Sequence, residues 1–221
     1  MKKFLFIIMA SAVALAACTS EPSNNDELLE YETAPFRELR RFNNETILYA
    51  NGYTQTSGHL WYHLSFQGHS GEEYRQWYKG MKELDRYMYE QAKEMGVDKN
   101  LQGIFYGTLS NISVTANKEV FGRKSGEELV DLFEIVCLPY RFTFPEGELI
   151  TLNEEGKGKL MNVEEWLKLG FMSEIRLELQ LKQGLDCQEI LNNADITIKA
   201  TMNDITVSDV VAAEDIHRYG L

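Results

Sequence analysis

The sequence predicts an α+β fold that is mainly β, a sandwich-like arrangement of antiparallel sheets carrying one long amphipathic helix at about residues 71–95. Three observations carry that expectation. Several short runs alternate apolar and polar side chains, the period of a strand with one wet face. Turn residues punctuate those runs. Only one window sustains apolar spacing of three and four residues over many turns.

Taken in chain order, Leu60, Tyr62, Leu64 and Phe66 alternate with His59, Trp61, His63, Ser65 and Gln67, and the aromatic content favours a strand. Ser70 and Glu73 have the spacing of a capping box, in which hydroxyl and carboxylate satisfy free amides at a helix start. Tyr74, Trp77, Tyr78, Met81, Leu84, Met88, Ala92 and Met95 then recur at helical spacing until Gly96 supplies a stop. Residues 111–116 alternate again. Residues 141–150 read as a hairpin with Pro145 and Gly147 in its turn. Asn162 with Glu165 caps a short helix to Leu169, and a second short helix is expected over 186–191. Residues 175–181 and 196–202 alternate cleanly, and Asn203-Asp204 joins the latter to Ile205-Thr206-Val207 as a tight hairpin.

The amino terminus reads differently. Lys2 and Lys3 precede an apolar run over 4–17, shorter than the about 20 residues needed to span hydrocarbon as a helix. The run ends in Leu15-Ala16-Ala17-Cys18, which resembles the lipobox of bacterial lipoproteins. That resemblance implies a signal peptide over 1–17, lipid attachment at Cys18, and a protein anchored to a membrane that it does not span. Residues 18–35, rich in Ser, Asn, Glu and Pro, read as a flexible tether, leaving 36–221 as a single extracytoplasmic domain. Thr19 after the cysteine resembles the sorting pattern of outer-membrane lipoproteins, which implies the outer membrane, on its periplasmic or cell-surface side. Residues 112–118 and 126–135 also resemble a pattern in uncharacterised Bacteroidetes-type envelope lipoproteins, which carries no chemistry with it.

A net charge of −12 argues against nucleic acid and anionic membrane surfaces as partners, because both reward Lys and Arg. Beyond Cys18 only Cys137 and Cys187 remain, a candidate disulfide in an exported protein or two small buried hydrophobes. No phosphate loop, Cys-x-x-Cys or calcium loop occurs, and no cofactor or metal is expected. His59 and His63 have the spacing of a helical metal pair, but on a strand they stand ~13 Å apart at ~3.3 Å per residue. Glu127-Glu128, Glu154-Glu155 and Glu164-Glu165 read as solvated surface.

Gly68-His69-Ser70-Gly71-Glu72 resembles the nucleophile elbow of α/β-hydrolases, with His217 far downstream as a proton acceptor. Glu72 stands where that motif needs glycine and would oppose a developing oxyanion, and Ser70 already serves as a helix cap. Recognition suits the residues better. Trp61 shares a polar strand face with His59 and His63, an arrangement on which a sugar ring or a peptide can stack. The expectation is a non-catalytic envelope lipoprotein with an accessory or binding role, its partners being the membrane through its lipid and a glycan or an envelope protein. Its two rivals are a glycan- or peptide-binding module centred on Trp61 and a hydrolase using Ser70 and His217.

Overall fold

A computed structural model of the chain describes residues 39–40, 42–55, 58–67, 94, 104–105, 107–137, 140–143, 148–152, 159–173, 176–192 and 194–219. All of them lie in the compact unit Ala34–Leu221. In chain order the strands are β1 Leu39–Arg40, β2 Ile47–Gln55, β3 Leu60–Gln67, β4 Ile104–Phe105, β5 Asn111–Ala116, β6 Phe133–Cys137, β7 Tyr140–Phe142 and β8 Leu149–Thr151. They continue with β9 Lys159–Asn162, β10 Arg176–Leu181, β11 Ile196–Met202, β12 Ile205–Val211 and β13 His217–Tyr219. Two short helices, α1 Val163–Lys168 and α2 Gln188–Leu191, lie between β9 and β11. The protein is therefore mainly β.

Six strands form the main sheet in the order β13-β2-β3-β10-β6-β9, and three form a second in the order β12-β11-β5. Pairing within both is antiparallel except where β13 joins β2 in parallel. Two further pairs, β1-β4 and β7-β8, complete the strands.

Alternation decides which face goes inward. β3 buries Leu60, Tyr62, Leu64 and Phe66, β10 buries Leu177, Leu179 and Leu181, and β6 buries Phe133, Ile135 and Cys137. From the second sheet, Ile112, Val114 and Ala116 of β5 and Ile196, Ile198, Ala200 and Met202 of β11 enter the same hydrophobic cluster. Each large aliphatic or aromatic chain so buried contributes about 1.5–3 kcal/mol. The β11–β12 hairpin turns on Asn203 and Asp204, whose φ values of 51° and 63° are those of a type I′ turn.

β2 inverts the usual pattern. Its inward residues after Leu48 are Ala50, Gly52 and Thr54, because the opposing surface comes close: a Cβ at Gly52 would lie 2.9 Å from Ile216 Cγ1 and 3.1 Å from the Tyr62 ring. β13 pairs with only Tyr53–Gln55 of β2. Farther along β2, the Ala50 N–H donates to Asp209 Oδ2 of β12 at 2.8 Å, so a side chain from the second sheet satisfies an amide of the first.

The open edge of β5 is covered by the segment that follows it. Gly126 and Leu129 donate to the Ala116 and Val114 carbonyls, and Glu128 closes the gap between them. Glu128 Oε1 accepts from the amides of Val114 at 2.7 Å, Val130 at 3.0 Å and Leu129 at 3.1 Å, while Oε2 accepts from Ser113 Oγ at 2.6 Å. Glu128 is thus a structural acceptor, not the merely solvated acid its neighbour suggests. Arg123 clamps the same segment, donating to Asp131 Oδ1 at 2.6 Å, to Asp131 Oδ2 at 2.5 Å and to the Glu128 carbonyl.

The hairpin over 141–150 forms as β7–β8, and Asn162 caps α1 by accepting from Glu164 N at 2.9 Å and Glu165 N at 3.4 Å. The two helices seen entire are short, and the long helix expected at about 71–95 lies outside the described residues except for Glu94, which is helical. The disulfide between Cys137 and Cys187 is not formed: both are free thiols, each packed in the core as a small hydrophobe. Trp166 is likewise core, only 2% exposed.

Candidate functional site

The outward face of the six-stranded sheet carries an aromatic ladder. Register places Tyr53 of β2 opposite Trp61 of β3 and Asn51 opposite His63, while parallel pairing sets His217 of β13 beside Tyr53. Tyr53 lies at the centre. Its ring is 5.9 Å from Trp61 at 18°, 5.9 Å from Tyr219 at 8° and 5.3 Å from His217 at 26°, and His63 tilts against it at 4.8 Å. Near-parallel rings at these separations are offset stacks. Tyr219, Tyr53 and Trp61 therefore run in succession across three strands.

β10 holds the far side of the ladder. His63 Nε2 is 2.8 Å from Glu178 Oε2, and because a carboxylate only accepts, Nε2 carries the proton. Gln180 Nε2 reaches His59 Nδ1 at 3.4 Å. His63 lies directly opposite Glu178 in the register, whereas Gln180, opposite Trp61, reaches His59 on the diagonal. Polar groups thus flank stacked rings on one surface.

The ladder is open at its β13 end. Among the described strands β13 is the edge of the sheet, and Tyr219 is 54% exposed. Along β2 the outward set continues through Tyr49 and Ile47, 43% and 49% exposed. Two cavities adjoin this end of the sheet, where Gly58 at φ 79° sits in the turn before β3. One, of about 350 Å³, is lined by Tyr219, Arg218, Gln55, Thr54, Gln188 and Leu191. The other, of about 340 Å³, is bordered by His59, Lys182, Asp186 and Cys187, and shares Gly58 and Gln188 with the first.

Compared with protein families, curated proteins and solved structures, this chain has no match.

The structure brings His59, Trp61 and His63 together on one face, as expected from alternation. His217 joins that face through its stack on Tyr53. Ser70 and Cys18 lie outside the described residues. Among the described residues no three His, Cys, Asp or Glu side chains are grouped to hold a metal ion, and no helix is long and apolar enough to cross a membrane.

Sequence reasoning passed over Tyr53, Tyr219, Glu178 and Gln180. A signal for Tyr53 was present, since 47–55 alternates. It is hard to read because the outward residues Ile47, Tyr49 and Tyr53 are more apolar than the inward Ala50, Gly52 and Thr54. Nothing local announces Tyr219, whose place depends on a parallel pairing between distant segments.

Proposed function

We propose that this chain is a lipid-anchored envelope protein that binds glycans without catalysis, through the Tyr219–Tyr53–Trp61 ladder and the cavities beside it. The observation that carries this reading is the exposed Tyr219 ring, stacked on Tyr53 and on no other ring among the described residues, at the mouth of a cavity with both polar and apolar lining. A ring face offers a sugar its π-cloud against axial C–H groups, while neighbouring amides and imidazoles meet the hydroxyls. Gln55, Gln188 and His59 supply those groups. The stack of His217 on Tyr53 supports a binding role for that histidine over proton transfer to a serine. The lipobox at Cys18 supports an anchor in the outer membrane, and the apolar stripe over 71–95 supports a long helix packed on a sandwich of the two sheets.

The test is a glycan array probed with the full chain in detergent micelles. Retention of a glycan class by wild type, lost in both Trp61→Ala and Tyr219→Ala, is the expected result. An array with no retained glycan, or one on which both variants perform as wild type does, defeats the reading. Cys18→Ala is expected to move the protein from the membrane to the soluble fraction.

A further inference from the structure

The cavity under Tyr219 carries a charge that no described residue in its lining balances. Among the described residues Arg218 is the one ionisable cation in its lining, and no described Asp or Glu lines it. The chain holds 34 acidic residues against 22 Lys and Arg, so a basic side chain would ordinarily find a carboxylate close by. Arg218 makes no ion pair among the described residues. The adjoining cavity differs, since Lys182 and Asp186 both border it and their charges offset each other.

We infer that the Arg218–Tyr219 cavity takes an acidic sugar residue, its carboxylate on the Arg218 guanidinium and its ring on the exposed Tyr219 side chain, with the next, neutral residue of the chain in the cavity across Gly58. This rests on the glycan reading and names its ligand class: uronic-acid-containing oligosaccharides. The planar guanidinium matches a carboxylate with two parallel hydrogen bonds, which a neutral hydroxyl cannot reproduce. Gln188 borders both cavities and supplies amide donors and an acceptor to hydroxyls on either ring. Tyr219 joins His217 on the ladder face, Arg218 lies between them in the strand, and both Arg218 and Tyr219 line the cavity at the sheet edge.

The experiment measures binding of the full chain in detergent to unsulfated oligomers of chondroitin, hyaluronan and heparosan, in which a uronic acid alternates with a neutral sugar, each beside its carboxyl-reduced neutral counterpart. At least one acidic oligomer is expected to bind about tenfold or more tightly than its reduced form, the scale of a charge-assisted hydrogen bond. Arg218→Gln should erase that preference by weakening the acidic form far more than the reduced form, and Tyr219→Ala should weaken both forms. The Arg218 side chain is exposed and makes no hydrogen bond or ion pair among the described residues, so its variant is expected to unfold at the wild-type urea midpoint. Equal binding of acidic and reduced forms, or a preference that survives Arg218→Gln, overturns the inference and leaves the glycan reading standing. Failure of every oligomer, acidic and neutral, to bind sinks both.

Discussion

The rings of Tyr53 and Tyr219 lie 8° from parallel with centroids 5.9 Å apart, joining the second strand of the fold to its last. The contact follows from β13 lying parallel to β2 at the sheet edge, with Tyr219 one pleat beyond His217. Tyr53 is thereby contacted by four rings, and Tyr219 by Tyr53 alone among the described residues.

That asymmetry separates the two residues energetically. Each aromatic pair contributes about 0.5–1.5 kcal/mol beyond area burial, so Tyr53→Ala should lower the unfolding free energy by about 2–4 kcal/mol. Tyr219→Ala, with a single stack, should cost about 1 kcal/mol or less. Urea unfolding of the two variants checks the ordering, and equal losses would contradict the ladder geometry.

Asp209 couples the two sheets through the Ala50 amide at 2.8 Å. Asp209→Ala leaves that N–H without its acceptor, at a cost of about 1–3 kcal/mol. Asp209→Asn keeps a carbonyl oxygen and should recover most of the loss. Amide hydrogen exchange at Ala50 provides the local readout: it should accelerate in Asp209→Ala and stay slow in Asp209→Asn.

Gly52 admits no side chain without movement of its neighbours. A Cβ there meets Ile216 at 2.9 Å, Tyr62 at 3.1 Å and Val211 at 3.3 Å. Gly52→Ala should therefore destabilise by about 1–3 kcal/mol through overpacking. If thermal unfolding shows an unchanged midpoint, the close approach of β12 and the 212–216 segment to β2 is wrong.

The Arg123–Asp131 pair gives a pH signature. The hydrogen bond from Arg123 holds the Asp131 carboxyl below the usual carboxylate range, and the guanidinium is correspondingly raised. A depressed folded-state value stabilises the fold above the unfolded value of about 3.9 and loses that stability as pH falls through the folded value. Asp131→Asn should thus be less stable than wild type at pH 7, and the two stabilities should converge below about pH 4. Both side chains are partly exposed, so high salt should shrink the difference. A gap unchanged from pH 7 to pH 2 would mean that the pair contributes nothing.

Legibility followed locality. Strand β3 and the β11–β12 hairpin were readable because alternation and turn chemistry act over a few residues, and Asn162 was readable as a cap for the same reason. The Cys137–Cys187 bond was not decidable, since pairing depends on geometry between segments that share no local signal. Glu128 looked like solvated surface because the amides it collects, those of Val114, Leu129 and Val130, converge only when the loop folds over β5.

By itself the sequence determined that the protein is mainly β and that His59, Trp61 and His63 share a face, because a strand's side chains alternate whatever lies next to it. Only the tertiary structure decided what that face becomes. It brought Tyr53, His217 and Tyr219 to Trp61 and set unpaired Arg218 at the edge of the same surface. The reason is that strand order and direction are chosen by the burial of the opposite, inward faces, so the outer surface is assembled by a core to which its own residues contribute nothing.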